Sequence, residues 1–127
     1  MIAVDTSALM AVILGEADSD ACMAILETEP AVLISAGTVA EALIVAAKRS
    51  VADEMMKLID GLGFEVVNVT AASARRIAAA YARWGKGMHP AGLNFGDCVA
   101  YEVAKANDCR LLYVGDDFAK TDVESVL

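Results

Sequence analysis

The sequence predicts an α/β fold, a three-layer α/β/α sandwich around a central, mainly parallel sheet. Short apolar runs alternate with longer helical patterns, and four of the runs suit buried strands: residues 2–5, 31–35, 64–69 and 111–114. Near-continuous apolar runs are typical of parallel strands covered on both faces. With 127 residues, no internal repeat and no linker, the chain is predicted to form one domain, residues 1–127.

Six helical patterns lie between and after these runs. They cover residues 6–14, 18–29, 38–48, 51–62, 72–84 and 97–107, and a short final helix capped by Asp122 is also predicted. Gly15 is expected to end the first helix and Asn94 to cap the sixth. Thr38 and Glu41 have the spacing of a capping box, which predicts that the third helix starts there.

Composition favours a cytoplasmic protein without a membrane partner. The chain is 57% hydrophobic and 6% aromatic, which predicts a full, mainly aliphatic core. Charge-free runs near the start are shorter than the roughly 18 residues that a membrane span needs. An early Asp and no early Lys or Arg argue against a signal peptide. Cys22, Cys98 and Cys109 lack metal-ligand spacing and are expected to be free thiols.

The net charge of −8 argues against a nucleic-acid partner, but the charge is unevenly distributed. Residues 66–96 contain no acid and four cations, Arg75, Arg76, Arg83 and Lys86. These cations are candidates for contacts with a phosphate backbone. The alternative is a solvated helix face. His89 is expected to be a surface residue, and Tyr81 and Trp84 are expected to pack between helices.

Acidic residues recur at one predicted edge of the sheet. Asp5 ends the first strand, Glu41 lies early in the helix after the second, and Asp97 begins the helix before the last. Asp116 and Asp117 follow that last strand. Strand ends and helix starts share one edge in this fold class, so the acids are expected to converge. An all-oxygen set suits Mg²⁺, with Mn²⁺ as a substitute.

Each acid also has a purely structural interpretation. Asp5 and Asp97 are suitable for helix starts, and Glu41 for the capping box. Asp116 and Asp117 are suitable for a turn. One shared metal site explains all of these positions together, and we therefore favour it.

Four segments in order resemble PIN-domain ribonucleases, and in particular VapC-type toxins of bacterial toxin–antitoxin pairs. They are Val4-Asp5-Thr-Ser-Ala-Leu9, Glu41 after a short strand, Leu93-Asn-Phe-Gly-Asp-Cys98 and Gly115-Asp-Asp-Phe-Ala-Lys-Thr-Asp122. The resemblance covers essentially the whole chain. It implies a PIN-like fold and Mg²⁺-dependent endonucleolytic cleavage of RNA, often of a structured RNA such as tRNA.

The resemblance also implies roles for individual residues. The acidic set carries over to the catalytic positions Asp5, Glu41, Asp97 and Asp116, with metal held by Asp5, Asp97 and Asp116. Thr6 or Ser7 corresponds to the small hydroxyl beside the first aspartate, and Asp117 and Asp122 are auxiliary or alternative acids. A homodimer and a cognate antitoxin that inhibits with a segment near the acidic pocket are implied as well.

Other interpretations make different demands on the sequence. A response-regulator receiver domain expects its acidic pair at the first strand, whereas here the pair follows the last. A haloacid-dehalogenase-type phosphatase expects a second aspartate where Ser7 stands. A non-catalytic PIN-like binding module has no need of the complete acidic set. An RNA-processing enzyme or a DNA nuclease stays open as an alternative, because no motif in the sequence indicates recognition of the 2′-hydroxyl that distinguishes RNA from DNA.

Overall fold

In the computed structural model, which describes residues 1–127, four parallel strands form one sheet. The strands are β1 (Ile2–Val4), β2 (Val32–Ser35), β3 (Glu65–Val67) and β4 (Arg110–Leu112), in the order β3-β2-β1-β4. Ile2 is aligned with both Val32 and Arg110, so β1 is central and the residue after it emerges between two neighbours. The predicted fold class is confirmed.

Six helices cover the two faces of the sheet. They are α1 (Thr6–Leu14), α2 (Ser19–Thr28), α3 (Ala36–Lys48), α4 (Ala52–Gly61), α5 (Ala71–Trp84) and α6 (Phe95–Ala106). Because side chains alternate along a strand, Ile2 and Val4 pack with α1 to α4, whereas Ala3 packs with α5 and α6. These two cores are the physical basis of the three layers.

The three cysteines are free, as predicted, and burial raises the pKa of each thiol. Cys22 and Cys98 lie in opposite cores, and Cys109 is half-buried. None of the six helices has the length and apolarity needed to cross a membrane.

The predicted start of α3 is wrong. The helix begins at Ala36 because the hydroxyl of Ser35 accepts a hydrogen bond of 3.1 Å from the N–H of Gly37. Thr38 and Glu41 therefore lie inside the helix and form no capping box. The Thr38 hydroxyl is buried without a partner, one turn before Glu41. The Glu41 side chain therefore does not cap α3, and its carboxylate is available for another contact.

The C-terminal segment also differs from the prediction. β4 ends at Leu112 rather than at residue 114, and no helix follows Asp122. Instead, the N–H of Leu111 donates to the carbonyl of Glu124 at 2.9 Å, and Val126 donates back to Leu111 at 3.1 Å. The last residues thus cover the outer edge of β4, which would otherwise expose unpaired backbone groups.

Candidate active site

Asp5 leaves the end of β1 and caps α1. Its Oδ2 accepts hydrogen bonds from the N–H of Ser7 at 3.0 Å and from the Ser7 hydroxyl at 2.6 Å. Only 4% of the residue is exposed. Burial raises the pKa of Asp5 to about 6; the Ser7 hydrogen bonds oppose this shift and the charge of Glu41 adds to it. A buried carboxylate is thus held at the sheet edge.

Glu41 reaches this edge from α3. Its Oε1 accepts a hydrogen bond of 2.5 Å from the hydroxyl of Thr6, the first residue of α1. The same carboxylate lies against Gly96, where any Cβ would collide with Oε2. Glycine at position 96 thus leaves room for the Glu41 carboxylate, which a larger residue would displace from its present position.

Asp97 lies in the first turn of α6 and completes a capping box with Asn94. Its Oδ2 accepts from the N–H of Asn94 at 3.0 Å, and its own N–H donates to Asn94 Oδ1 at 2.8 Å. Burial raises the pKa of Asp97 to about 7, against the Asn94 hydrogen bond. The charges of Asp5, Asp117 and Glu41 raise it further, so three carboxylates act on Asp97 together.

The sequence did not decide which acid after β4 completes the acidic set, although it favoured Asp116 over Asp117. Asp116 and Asp117 are both exposed in the turn that follows the strand. Asp117 is among the charges that raise the pKa of Asp97, whereas Asp116 is not. This charge makes Asp117 a candidate for the fourth acid, and the catalytic role predicted for Asp116 stays a prediction.

Asp122 is engaged elsewhere. It accepts a hydrogen bond of 2.6 Å from the Tyr101 hydroxyl and lies 3.4 Å from Lys105 and 3.6 Å from Arg83. Burial alone would raise its pKa, but these partners hold the pKa of Asp122 below its ordinary value. The side chain therefore ties the C-terminal segment to α5 and α6.

With this geometry established, comparison with known proteins gives the family. The PIN domain sequence model matches residues 2–124. The chain belongs to the PIN domain family. It is similar to ribonuclease VapC36 of Mycobacterium tuberculosis, with 42% identity over 95% of this chain and 90% of that protein. The resemblance noted in the sequence is confirmed.

Solved structures share the fold of this PIN domain. The M. tuberculosis toxin VapC20, described as cleaving the sarcin–ricin loop, superposes with a TM-score of 0.77 at 18% identity, covering 97% of this chain and 96% of the other. A toxin–antitoxin complex from Klebsiella pneumoniae gives a TM-score of 0.73 at 20% identity, covering 100% and 97%. At these identities the likeness is one of fold.

The four predicted RNA-binding cations of the PIN domain divide into two pairs. Arg76 lies 3.4 Å from the buried carboxylate of Glu102, and Arg83 stacks over the Trp84 ring at 4.4 Å besides its contact with Asp122. Arg75 and Lys86 are exposed and form no ion pair. Of the four cations, only Arg75 and Lys86 are thus uncommitted, meaning that neither has an ionic partner within the protein.

His89 and Trp84 have structural roles in the PIN domain. Their rings pack edge to face with centroids 4.8 Å apart, and His89 Nδ1 accepts from the N–H of Ala91 at 3.0 Å. Trp84 is buried, and its indole N–H donates to the Tyr101 hydroxyl at 3.0 Å. Helix packing is thus confirmed for Trp84, whereas His89 is half-buried rather than free on the surface.

The donor chemistry of the site suits a hard divalent cation. Asp5, Glu41 and Asp97 offer only oxygen atoms as ligands. In each of these side chains, one of the two carboxylate oxygens accepts the hydrogen bonds described above. No group of three or more Asp, Glu, His or Cys side chains is arranged to hold a metal ion by itself. Mg²⁺ commonly binds through one or two carboxylates plus water and substrate phosphate, so it does not require a complete set of protein ligands.

One exposed residue beside the acids was missed by the sequence analysis. Phe95 is 73% exposed, although it lies between the cap residue Asn94 and Gly96. It separates two apolar grooves of about 360 and 350 Å³. The first is lined by Ala74, Ile77, Ala78 and Tyr81, and the second by Gly37, Ala40, Glu41, Ile44, Gly96 and Val99. An aromatic residue between a helix cap and a glycine was the available signal.

Proposed function

We propose that this PIN domain is a metal-dependent endoribonuclease and the toxin of a toxin–antitoxin pair. The observation that carries the proposal is the buried carboxyl of Asp97, whose pKa is raised to about 7 by burial and, in smaller part, by the charges of Asp5, Asp117 and Glu41. Such crowding is unfavourable unless a cation or a proton neutralises it. Similarity to VapC ribonucleases over 95% of the chain supports RNA as the substrate.

The proposed ligands of Mg²⁺, or of Mn²⁺ as a substitute, are Asp5 and Asp97, with the acid after β4 completing the set. When bound, the ion supplies positive charge to the scissile phosphate and lowers the pKa of a coordinated water. Thr6 holds Oε1 of Glu41, which leaves Oε2 to accept a proton from the attacking water. The capping box of Asp97 and the Ser7 bonds of Asp5 fix both ligands before substrate arrives.

Substrate binding is proposed to use the uncommitted cations Arg75, in the N-terminal half of α5, and Lys86, just beyond the end of α5; both lie in the acid-free segment. They would contact the RNA backbone and counteract the net charge of −8. A structured RNA, such as tRNA, is the proposed class of target.

Two protein partners are also proposed. An antitoxin is supported by the fold shared with the toxin–antitoxin complex from K. pneumoniae. A homodimer is supported by the face around Phe95, which carries a protruding ring and two apolar grooves. A two-fold dimer brings identical patches together, so a patch with both a knob and a groove can complement itself. The proposed location is the cytoplasm, where the three thiols would stay reduced.

The deciding experiment measures RNA cleavage by purified protein with Mg²⁺, with Mn²⁺ and with a chelator. Asp97→Asn keeps a cap-competent oxygen but removes the charge, so the variant is expected to fold and to lose more than the roughly 100-fold typical of residues adjacent to metal ligands. Asp60→Asn makes the same chemical change at an exposed position and serves as the control. Full cleavage in chelator, or equal rates for the two variants, would overturn the proposal.

A further inference from the structure

We propose that Ser7 is a positioning residue that couples Asp5 to the acidic turn after β4. Its hydroxyl donates to Asp5 Oδ2 at 2.6 Å and accepts from the N–H of Val114 at 3.0 Å. One oxygen, on Ser7, thus bonds both Asp5 and a residue 107 positions after Ser7 in the chain. The catalytic consequence of this link rests on the proposed nuclease function.

The Ser7–Val114 hydrogen bond lies where a backbone hydrogen bond between β1 and β4 would otherwise continue the sheet. Pairing of β1 with β4 ends where the N–H of Asp5 donates to the carbonyl of Leu112 at 3.0 Å. Beyond that point the chain enters α1 at Thr6. The residues after β1 are therefore not in a strand conformation and do not continue the pairing with β4. The hydroxyl of Ser7 accepts the N–H of Val114 instead. It extends the β1–β4 connection by two residues without extending the strand.

Apart from a bond inside the turn, from the N–H of Ala119 to the carbonyl of Asp116 at 3.1 Å, residues 113–117 have no other hydrogen bond to the protein. On the far side of the turn, Phe118 is 1% exposed and packs on the Tyr113 ring with centroids 4.9 Å apart. Asp117 therefore lies between two anchors, the Ser7–Val114 bond and the buried Phe118 ring. Loss of the first anchor leaves the turn attached only through its apolar end.

Helix capping can be separated from this link. The cap of α1 uses the backbone N–H of Ser7, which donates to Asp5 at 3.0 Å and is retained in any substitution except proline. The bond to Val114 uses only the hydroxyl. Ser7→Ala therefore removes the link and keeps the backbone cap, whereas Ser7→Thr keeps a hydroxyl that can restore the link.

The first measurement is amide hydrogen exchange at Val114 in the folded protein without metal or RNA. In Ser7→Ala we expect exchange to accelerate by roughly 10-fold or more, because the amide loses its only partner. Ser7→Thr should return it toward the wild-type rate. Ser19→Ala is the matched control, since that hydroxyl contacts the carbonyl of Val12 in the last turn of α1. Unchanged exchange in Ser7→Ala would overturn the link regardless of whether the protein cleaves RNA.

The second measurement is a double-mutant cycle on kcat for RNA cleavage. Ser7→Ala is expected to lower kcat by roughly 10- to 100-fold, and Ser7→Thr to recover most of it. If Ser7 acts by placing Asp117, then Ser7→Ala should cost much less in an Asp117→Ala background than in the wild type. Fully additive losses would overturn the positioning role while leaving the proposed nuclease function intact.

Discussion

The hydroxyl of Thr6 donates a hydrogen bond of 2.5 Å to Oε1 of Glu41, across 35 residues of sequence. Thr6 is 7% exposed and opens α1, whereas Glu41 lies in the second turn of α3. Since Ser7 bonds Asp5, two adjacent hydroxyls orient two different acids. The resemblance left Thr6 and Ser7 as alternatives for one role, and the structure gives each its own contact.

Replacing Thr6 with valine should release Glu41 with little change in volume. Hydrogen bonds to charged groups contribute about 1.5–3 kcal/mol, so a decrease of this order in the free energy of unfolding is expected. RNA cleavage should fall by roughly 10- to 100-fold. Thr28→Val is the control, because that hydroxyl only contacts the carbonyl of Ala24, on the exposed side of α2. Cleavage equal to the control would show that Glu41 does not need this bond.

The raised pKa values predict how stability changes with pH in the metal-free protein. Asp5 and Asp97 bind protons more tightly when folded, with pKa values of about 6 and about 7 against an ordinary 3.8. Their contribution to stability is therefore complete below about pH 4 and is lost as the pH rises through 6 to 7. Asp97→Asn should match wild type near pH 4 and exceed it at pH 8 by an amount on the order of 1–3 kcal/mol.

Chemical denaturation across this pH range measures the difference, with Asp60→Asn as the exposed control. Mg²⁺ should stabilise the wild type more at pH 8 than at pH 5, because the ion binds the deprotonated carboxylates. A difference between Asp97→Asn and wild type that does not change with pH would contradict the raised pKa.

The two acids after β4 should separate in kinetics. Asp117 acts electrostatically on Asp97, so Asp117→Ala is expected to lower RNA cleavage strongly and to weaken the response to Mg²⁺. Asp116→Ala is the matched neighbour and should have the smaller effect. Metal titration of each variant, with thermal melting to check folding, measures the order. If Asp116→Ala is the more damaging change, the original sequence prediction is the correct one.

The salt dependence of RNA binding should distinguish the two pairs of cations on and beside α5. Neutralising Arg75 and Lys86 to glutamine is expected to reduce the slope of log affinity against log salt by roughly one per lost phosphate contact. The Arg76→Gln change removes a cation already paired with Glu102, so it should alter the slope less. An unchanged slope in the Arg75 and Lys86 variants would place α5 away from the RNA.

The oligomeric state should depend on Phe95. Phe95→Ser removes the protruding ring at an exposed helix start, and light scattering is expected to show a dimer for the wild type and a monomer for the variant. Met56→Ser is the control, because Met56 is also exposed, at 50%, but lies on α4. A Phe95→Ser protein that remains dimeric would assign the interface to another face.

The sequence alone determined the fold class and most element boundaries. Apolar runs such as Val32–Ser35 predicted strands because a strand buried on both faces has no polar positions. Gly15 ended α1 in a left-handed conformation, and Asn94 capped α6, because both requirements are local. The start of α3 was mispredicted because Ser35 and Thr38 are both cap formers, and local pattern cannot rank two adequate candidates.

Tertiary structure alone decided which groups meet at the sheet edge. The Ser7–Val114 and Thr6–Glu41 bonds join residues 107 and 35 positions apart, and the collision that any Cβ at Gly96 would have with Glu41 depends on two helices approaching. The charge of Asp117 that raises the pKa of Asp97 also acts between residues that are distant in the fold's element order, in a turn where Gly115 has φ +99°. Spacing in the sequence brings the acids to one edge, but the direction of each carboxylate depends on packing between elements that are distant along the chain.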